Sequence, residues 1–232
     1  MDDRIWTGSL NETALAGQPP LRAPGFYDTT LRDGEQTVGV VLSPEEKLEI
    51  AKALDAAGVD RIEAGFPRVS AEDWRAVELI AAAGLDAEIW GFSRAVPADL
   101  EALVELGVPA SVIESPISDG KLDALGVSRE TMLERITSAV SFAAGHGIHV
   151  AFFGVDSTRA DLGFFRQVYE AAIEAGAKEV VVVDTIGIAT PEAAAFLVGE
   201  VVEWVGNEIP VHWHGHDDFG LATAAAVAAV QA

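Results

Sequence analysis

Short apolar segments alternate with longer amphipathic segments along most of the chain. Each apolar segment has six or seven residues, is rich in β-branched or aromatic side chains, and ends in polar ones, which is typical of buried strands. The intervening segments are rich in Ala, Leu and Glu, which favour helices. The predicted strands lie at residues 25–30, 61–66, 88–93, 111–116, 149–154, 179–185 and 210–215.

Capping signals indicate where several of the intervening helices begin and end. Ser43 is followed three residues later by Glu46, and this spacing predicts a capping box. Gly58 predicts the end of the same helix, because glycine accepts the left-handed conformation of a helix C-terminus. Ser70 and Thr190 predict the starts of two further helices.

Strands that alternate with helices predict a parallel sheet covered by helices, either a closed (β/α)8 barrel or an open doubly wound sheet. Neither of the usual glycine-rich nucleotide-binding motifs follows the first predicted strand. The polar residues at the predicted strand ends would converge at one mouth of a barrel, and we therefore predict an α/β fold of the TIM (β/α)8 type. These residues are Asp28, Arg32, Asp33, Glu63, Glu114, Asp156, Asp184, Thr185, His214 and His216.

The pattern contains only seven strand–helix units, and the sequence stops within the predicted seventh helix. An eighth unit is missing, and we expect a truncated chain, a fragment, or a closing element from a partner. The predicted organisation is an N-terminal extension at residues 1–24 and a metal-dependent TIM-barrel catalytic domain at residues 25–232.

Composition narrows the classes of partner and location. The chain has 232 residues, of which 50% are hydrophobic and 22% charged, as in ordinary globular domains. Its formal net charge of −22 disfavours nucleic acid and anionic membrane surfaces. No apolar run approaches the roughly 18 residues of a membrane span. The acidic start does not resemble a signal peptide, so we expect a cytoplasmic protein, and the absence of Cys agrees.

Three of the five histidines lie in "HWHGH" at residues 212–216. Because alternate residues of a strand face the same side, His214 and His216 would lie near the mouth, and a carboxylate from elsewhere would complete a divalent-metal site. We expect His212 to lie deeper as a packed or hydrogen-bonded side chain. The plain interpretation of Asp218 is a helix N-cap, with a turn at Phe219 and Gly220. The alternative is a polar strand end whose histidines bond only to their neighbours.

The segment "YDTTLRDGEQ" at residues 27–36 can supply the missing ligand. Asp33 is the candidate carboxylate, and Arg32 can stabilise an enolate or a carboxylate through its fixed charge and forked donors. Gln36 and Thr30 are candidates to orient substrate or ligands. The alternative is a loop that contains only a local Arg–Asp pair.

With these motifs the sequence resembles the DRE-TIM metallolyase superfamily, in the branch of the 2-isopropylmalate, homocitrate and citramalate synthases, which are pyruvate carboxyltransferase-type barrels. The resemblance covers residues 25–232. It rests on "DTTLRDGEQ" (28–36), "PEEKLEIAKALDAAGVDRIEAGFP" (44–67), "DTIGIATP" (184–191) and "HGHDDFGLA" (214–222).

The resemblance implies an acyltransferase of amino-acid biosynthesis that condenses acetyl-CoA with an α-keto acid and then releases CoA by hydrolysis. It implies a divalent metal cation (Mg, Mn or Zn) on Asp33, His214 and His216. The partners implied are these small molecules, with a homo-oligomer as the expected assembly. Arg61, Arg68 and Arg94 are candidates to bind CoA.

The resemblance also assigns roles to individual residues. Arg32 would stabilise the keto or enolate oxygen, Glu63 would lie near the reacting groups, and Thr185 would bind the keto-acid carboxylate. With Gln36, these residues form the implied substrate site. The strand-end and pocket residues that select the keto acid include Phe92, Glu114, Phe153 and Val155.

Three positions depart from the family pattern. Val155 stands where the family carries a Glu, so either Asp156 takes over its catalytic role or the reaction differs. Asp217 replaces an Asn beside the metal ligands and adds negative charge there. Ala151 stands where homocitrate synthases carry an Arg, which disfavours 2-oxoglutarate as the keto acid.

These departures leave two alternatives to the synthase. One is a metal-dependent C–C lyase or aldolase on the same barrel. The other is an inactive or truncated paralogue that binds metal or a partner subunit.

Overall fold

Seven parallel strands form one curled sheet whose order follows the chain, with helices on its outer side. The computed structural model describes residues 8–17 and 23–232. The predicted α/β TIM-barrel-like fold is confirmed, and each predicted strand is present. The strands are β1 (Tyr27–Asp28), β2 (Arg61–Glu63), β3 (Glu88–Arg94), β4 (Ala110–Pro116), β5 (His149–Val155), β6 (Glu179–Asp184) and β7 (Val211–Gly215).

The helices begin largely where the capping signals predict. Ser43 forms the capping box with Glu46, and the Ser70 and Thr190 side chains accept backbone N–H groups at the starts of two other helices. Gly58 ends the first of these helices with a φ of 84°. The helices of the described residues are α1 (Ser9–Leu15), α2 (Pro44–Ala57), α3 (Ala71–Ala81), α4 (Pro97–Leu106), α5 (Asp119–Leu125), α6 (Arg129–Gly145), α7 (Leu162–Glu174), α8 (Pro191–Val205) and α9 (Ala222–Gln231).

Alternation along each strand divides the core into two layers. Residues on the outer face of the sheet pack against the helices, as Phe152 and Val180 do. Residues on the inner face fill the inside of the curl, where aromatic and aliphatic side chains meet. This interior layer consists of Trp90, Phe92, Ala110, Val112, Ala151, Phe153, Val181 and Val183, with Tyr27, Phe66 and Val155 packed against it.

A buried carboxylate on β6 joins that strand to three others at the N-terminal end of the barrel. Glu179, the first residue of β6, accepts hydrogen bonds from Arg61 Nη1 at 2.6 Å and from His149 Nε2 at 2.8 Å, and it also contacts His212 Nε2. Hydrogen bonds from His212 and Arg61 lower the pKa of Glu179, although burial opposes this. Arg61 is therefore far from the strand ends where CoA would bind, and His212 is the deeper, hydrogen-bonded histidine that we expected. We call this set of four residues the Glu179 cluster.

Three local features differ from the sequence expectations. Helix α5 was not predicted, and β1 and β2 are shorter than the apolar segments that contain them. Asp218 does not cap α9. Instead Asp217 Oδ1 accepts the Ala222 N–H at 2.9 Å, because a turn separates the end of β7 from the first residue of the helix.

The predicted N-terminal extension is described only in part. Residues 8–17 contain α1, which has no buried residue, while residues 1–7 and 18–22 lie outside the described part of the chain. Among the described residues, every helix is too short or too polar to cross a membrane.

Candidate active site

Asp33, His214 and His216 converge at the C-terminal mouth of the barrel, as the sequence predicts. Asp33 Oδ2 lies 3.2 Å from His214 Nε2 and 3.6 Å from His216 Nε2, and the two histidine nitrogens are 3.4 Å apart. The hydrogen bond with His214 lowers the pKa of Asp33 to about 2, against the effect of burial. One carboxylate and two imidazoles at these separations are a donor set that fits a divalent cation, since ligand atoms about 2.1 Å from one ion at right angles lie about 3 Å apart.

The loop after β1 presents Asp33 through a compact turn. The carbonyl of Thr29 accepts the backbone N–H groups of Arg32, Asp33 and Gly34 at 3.1, 2.8 and 3.1 Å. Asp28 Oδ1 accepts the Thr30 N–H at 2.9 Å, an Asx turn that starts the loop. The main-chain direction at Asp33 is thus fixed by hydrogen bonds within six residues of sequence.

The opposite side of this loop is held by a buried lysine of α2. Lys47 is 2% exposed, and its Nζ contacts Glu35 and lies 2.5 Å from Asp73 Oδ1 on α3. Glu35 belongs to the short 3-10 helix Gly34–Gln36 that follows Asp33. Lys47 therefore ties the loop that carries the candidate ligand to two helices.

Arg32 is a buried cation with one donor still free. Its Nε donates to Glu63, its Nη1 lies 3.2 Å from Asp33 Oδ1, and its Cζ lies 4.1 Å from the centre of the Phe92 ring. Within the described chain its Nη2 is buried and has no hydrogen-bond partner. A buried unpaired donor costs free energy, so Nη2 is a candidate to pair with a ligand oxygen.

Glu63 is fully enclosed and joins Arg32 to Tyr27. It is 1% exposed, and its Oε2 accepts the Tyr27 hydroxyl at 2.8 Å. Burial, followed by the charge of Glu63, raises the pKa of Tyr27 well above its usual value. Tyr27 therefore stays a neutral donor, and Glu63 is occupied on both of its oxygens.

Thr185 and Asp156 meet at the ends of β5 and β6. The Thr185 hydroxyl oxygen accepts the Asp156 N–H at 2.8 Å, which leaves the hydroxyl proton free to donate elsewhere. Asp156 is fully buried with a φ of 68°, in the left-handed region that is costly for residues other than Gly. Its carboxylate accepts two N–H groups of Arg159, at 2.8 and 2.7 Å, and the hydroxyl of Ser118.

Gly187 brings the loop after β6 against the end of β7. A Cβ on Gly187 would lie 2.6 Å from the His216 carbonyl oxygen and 2.7 Å from the Asp218 nitrogen, and its φ is 64°. The carbonyl of Asp184 accepts both the Gly187 N–H and the His216 N–H at 3.2 Å. Only glycine permits this close approach beside a candidate ligand.

Space for ligands adjoins these groups on the Asp33 side. An open cleft of about 440 Å³ is lined by residues 27–30, Asp33, Gly34 and His216. A smaller cavity of about 90 Å³ extends into the barrel past Glu63 and His214. The mouth therefore has room beside the three candidate ligands and Glu63.

The structure thus brings together Asp33, His214, His216, Arg32 and Glu63. Asp156 and Thr185 form a second group at the ends of β5 and β6. Gln36 lies exposed on the 3-10 helix, and within the described chain its side chain makes no hydrogen bond, so its predicted substrate role stays a prediction.

Sequence analysis assigned Glu114 only to the residues that select the keto acid, and it assigned no role to Lys47. The position of Glu114 at the end of a predicted strand was a usable signal. The burial of Lys47 could not be predicted from the sequence, because lysine at such a helix position is usually exposed.

Comparison with known proteins gives the same family. The HMGL-like family model matches residues 23–232. A probable 2-isopropylmalate synthase of Methanopyrus kandleri is 47% identical over 208 residues, which cover 89% of this chain and 41% of that protein. The homocitrate synthase AksA of the same organism is 45% identical over 207 residues, which cover 89% of this chain and 52% of that protein.

Solved structures show the same fold. The hydroxymethylglutaryl-CoA lyase from Pseudomonas aeruginosa has a TM-score of 0.75 and 24% identity, and the match covers 89% of this chain and 72% of that one. The chain spans about half the length of the two synthases that it matches.

Proposed function

Because the chain belongs to the HMGL-like family, as its motifs predicted, we propose that it is the catalytic barrel of a metal-dependent synthase that condenses acetyl-CoA with an α-keto acid. In this reaction the acetyl methyl carbon loses a proton and bonds to the keto carbon, whose oxygen becomes a hydroxyl. Water then cleaves the thioester and releases CoA. The observation that carries the proposal is the convergence of Asp33, His214 and His216 beside the unpaired Nη2 of Arg32.

A divalent cation would be held by Asp33, His214 and His216. When bound, it would supply Lewis-acid polarisation of the keto acid, worth several kcal/mol of charge stabilisation. The carboxylate and two neutral imidazoles accept Mg, Mn or Zn, so the donor set leaves the choice of metal to measurement. Asp33 uses Oδ1 for Arg32 and Oδ2 for the histidine side, which orients the carboxylate for a ligand role.

Arg32 would hold the oxygen on which negative charge develops. Its Nη2 is already buried and has no partner to give up, so it could pair with that oxygen with little reorganisation when the charge appears. The stacked Phe92 ring and the contact with Glu63 keep the guanidinium in place. Arg32 and Glu63 therefore act as one unit, with Glu63 close to the reacting groups and Arg32 in contact with them.

Thr185 would donate its hydroxyl proton to the keto-acid carboxylate. Because its oxygen already accepts the Asp156 N–H, the hydroxyl is oriented before substrate arrives. The Asp156 carboxylate is bound by Arg159 and Ser118, which favours a positioning role for this residue. These contacts fix its strained backbone, and the Asp156 N–H in turn orients Thr185. Gln36 would contact substrate from the exposed edge of the loop.

The preference for a synthase over a lyase rests on the sequence relatives. Proteins named as synthases match at 45–47% identity, whereas the lyase structure at 24% identity supports the fold alone. The whole protein's substrate, its homo-oligomeric assembly and its cytoplasmic location remain predictions.

The test is a CoA-release assay on the full-length native polypeptide that carries this chain. Acetyl-CoA, one of Mg²⁺, Mn²⁺ or Zn²⁺, and a panel of α-keto acids are supplied, and free thiol is measured. We expect thiol release that needs both metal and keto acid and falls at least about 100-fold in His214→Ala, which removes a metal ligand. The matched control is His146→Ala, an exposed histidine at the end of α6, and it should keep the native rate.

Two results would contradict the proposal. If a protein that still binds Mn²⁺ releases no CoA with any keto acid of the panel, the proposed synthase function is wrong. Cleavage of a 3-hydroxyacyl-CoA or a 4-hydroxy-2-keto acid in place of condensation would assign the barrel to the C–C lyases or aldolases.

A further inference from the structure

Glu114 is an interior carboxylate without an ionic partner at the mouth of the barrel. It follows Ala110 and Val112 at alternate positions of β4, and both of these residues belong to the interior layer. Its register partners are Arg94 on β3 and Phe153 on β5. Among the described residues, the Glu114 carboxylate takes part in no hydrogen bond and no salt bridge.

The two arginines whose charges act on Glu114 are paired with other carboxylates. Arg94 donates to Asp99 at 2.8 and 3.2 Å, and Arg32 is held by Glu63 and Asp33.

Burial raises the pKa of Glu114 above its usual value, and the charges of Arg32, Arg94 and Lys121 offset this only in part, while Glu63 adds to it. The carboxylate therefore keeps its lone pairs free and holds a proton more readily than an exposed glutamate does.

Phe153 connects Glu114 to the rest of the site. The ring of Phe153 lies 5.1 Å from the ring of His214, and the Cζ atom of Arg32 lies 5.9 Å from its centre. Glu114 occupies the same row of the sheet on the neighbouring strand. The Phe153 side chain thus separates the Glu114 carboxylate from His214 on one side and from Arg32 on another.

The neighbouring strand end offers no group that can move a proton. Val155 is the last residue of β5, it packs against the interior layer, and its register partner on β4 is Pro116. Asp156, the next residue, has its carboxylate committed to Arg159 and Ser118. Glu114 is the remaining interior carboxylate at the ends of β4 and β5.

We propose that Glu114 is the general base of the condensation, an inference that rests on the function proposed above. Glu114 takes a proton from the methyl carbon of the acetyl thioester, and the resulting enolate carbon forms the bond to the keto carbon. The keto oxygen then receives that proton from the Glu114 carboxyl as it becomes a hydroxyl. The carboxylate is regenerated, and the later thioester hydrolysis consumes one water.

The experiment compares Glu114→Gln with the native full-length polypeptide in the metal-loaded CoA-release assay across pH. General base catalysis is worth about 10²- to 10⁴-fold, so we expect kcat to fall by that factor while the KM for the keto acid changes less than about threefold. The native kcat should fall on the acid side as Glu114 takes up a proton, and Glu114→Gln should lose this acid limb.

The matched control is Glu101→Gln, which makes the same charge change on the exposed face of α4 and should keep the native rate and pH profile. Mn²⁺ affinity checks that each variant is folded. If Glu114→Gln does not fold, Glu114→Asp supplies the second test, because its carboxylate is set back by one methylene. Its kcat should fall at least about tenfold while the acid limb persists, and an unchanged kcat would overturn the proposal.

The two proposals fail in different ways. An active native protein whose Glu114→Gln variant keeps its kcat within threefold and retains the acid limb overturns the role of Glu114 and leaves the synthase function standing. A native protein that releases no CoA with any keto acid removes the function, and the assignment of Glu114 falls with it.

Discussion

Gly187 is the residue at which two loops of the site come into backbone contact. Ala at this position would place its Cβ 2.6 Å from the His216 carbonyl oxygen, and neither backbone can rotate away as a side chain would. We expect Gly187→Ala to move His216 and to weaken Mn²⁺ binding by about 10- to 100-fold, the range seen when the support of a metal ligand is removed. Titration of the purified protein with Mn²⁺ measures this.

Gly126 offers a matched control for that change. It has the same φ of 64°, and a Cβ there would meet nothing within 4 Å. Gly126→Ala therefore carries the same left-handed strain without the crowding, and its Mn²⁺ affinity should stay native. Equal losses in the two variants would mean that strain, and not the approach to His216, explains the effect.

At the residue scale, the sequence predicted which candidate ligands converge better than it predicted the residues that support them. The H-x-H spacing placed His214 and His216 on one face because strand alternation is local. The need for Gly187 depends on the crossing of two loops that lie about 30 residues apart in sequence, and no local pattern contains it. The cap considered at Asp218 is not formed, because the turn after β7 delays the start of α9 to Ala222, whose N–H pairs with Asp217.

Helix α2 supports the site as an element, through Lys47. Lys47→Met would leave Glu35 and Asp73 facing each other without their shared cation. Removing one partner of a buried ion pair costs about 3–5 kcal/mol, and because Glu35 and Asp73 are 20% and 16% exposed, we expect a loss of about 2–3 kcal/mol in the free energy of unfolding. Urea denaturation monitored by circular dichroism gives this quantity.

Lys52→Met is the control on the same helix. Lys52 is 49% exposed and pairs with Glu49, an arrangement worth less than about 1 kcal/mol. If both variants are equally stable, Lys47 does not secure the loop.

At the element scale, helix starts were predictable because a capping motif spans only four residues, as Ser43 and Glu46 show. Helix α5 was missed because it is only seven residues long and lies between two other elements without a strong apolar period. The length of β2 was overestimated because the chain leaves the sheet at Glu63 while the next residues are still apolar, and that of β1 because the turn after Asp28 begins within the predicted segment.

The Glu179 cluster belongs to the whole molecule, since it ties β2, β5, β6 and β7 together. The folded pKa of Glu179 is lowered, so its contribution to stability is complete above the unfolded value of about 4.3 and is lost as the pH falls below about 5 through the lowered folded value. We expect Glu179→Gln to reduce stability at pH 7 by about 3 kcal/mol and to flatten the decline of stability between pH 5 and pH 3.

Urea unfolding at a series of pH values tests this. Glu88→Gln is the comparison, because Glu88 is 62% exposed and contacts Arg61 and the Trp90 indole N–H at the surface, and its effect should stay below about 1 kcal/mol. A Glu179→Gln protein whose stability falls with acid as steeply as the native protein would assign the acid sensitivity to other carboxylates.

For the whole molecule, the order of strands followed from the alternation of apolar and amphipathic segments, because parallel strands joined by helices favour sequential neighbours. The Glu179 cluster did not follow, since Arg61 and Glu179 are 118 residues apart and three of its members resemble ordinary surface residues in sequence. Long-range polar pairing is specified by the curl of the sheet, which only the folded chain provides.

The unpaired Nη2 of Arg32 has a consequence for which molecules the barrel tolerates. A ligand that places a methyl group against Nη2 leaves this charged donor buried without a hydrogen bond, a penalty of about 1–3 kcal/mol or more. Sites of this kind reject an oxygen-free analogue far more strongly than they reject one extra methylene. If the proposed function holds, we therefore expect stronger discrimination against keto-acid analogues that lack the oxygen paired with Nη2 than against analogues with one more methylene in the alkyl chain.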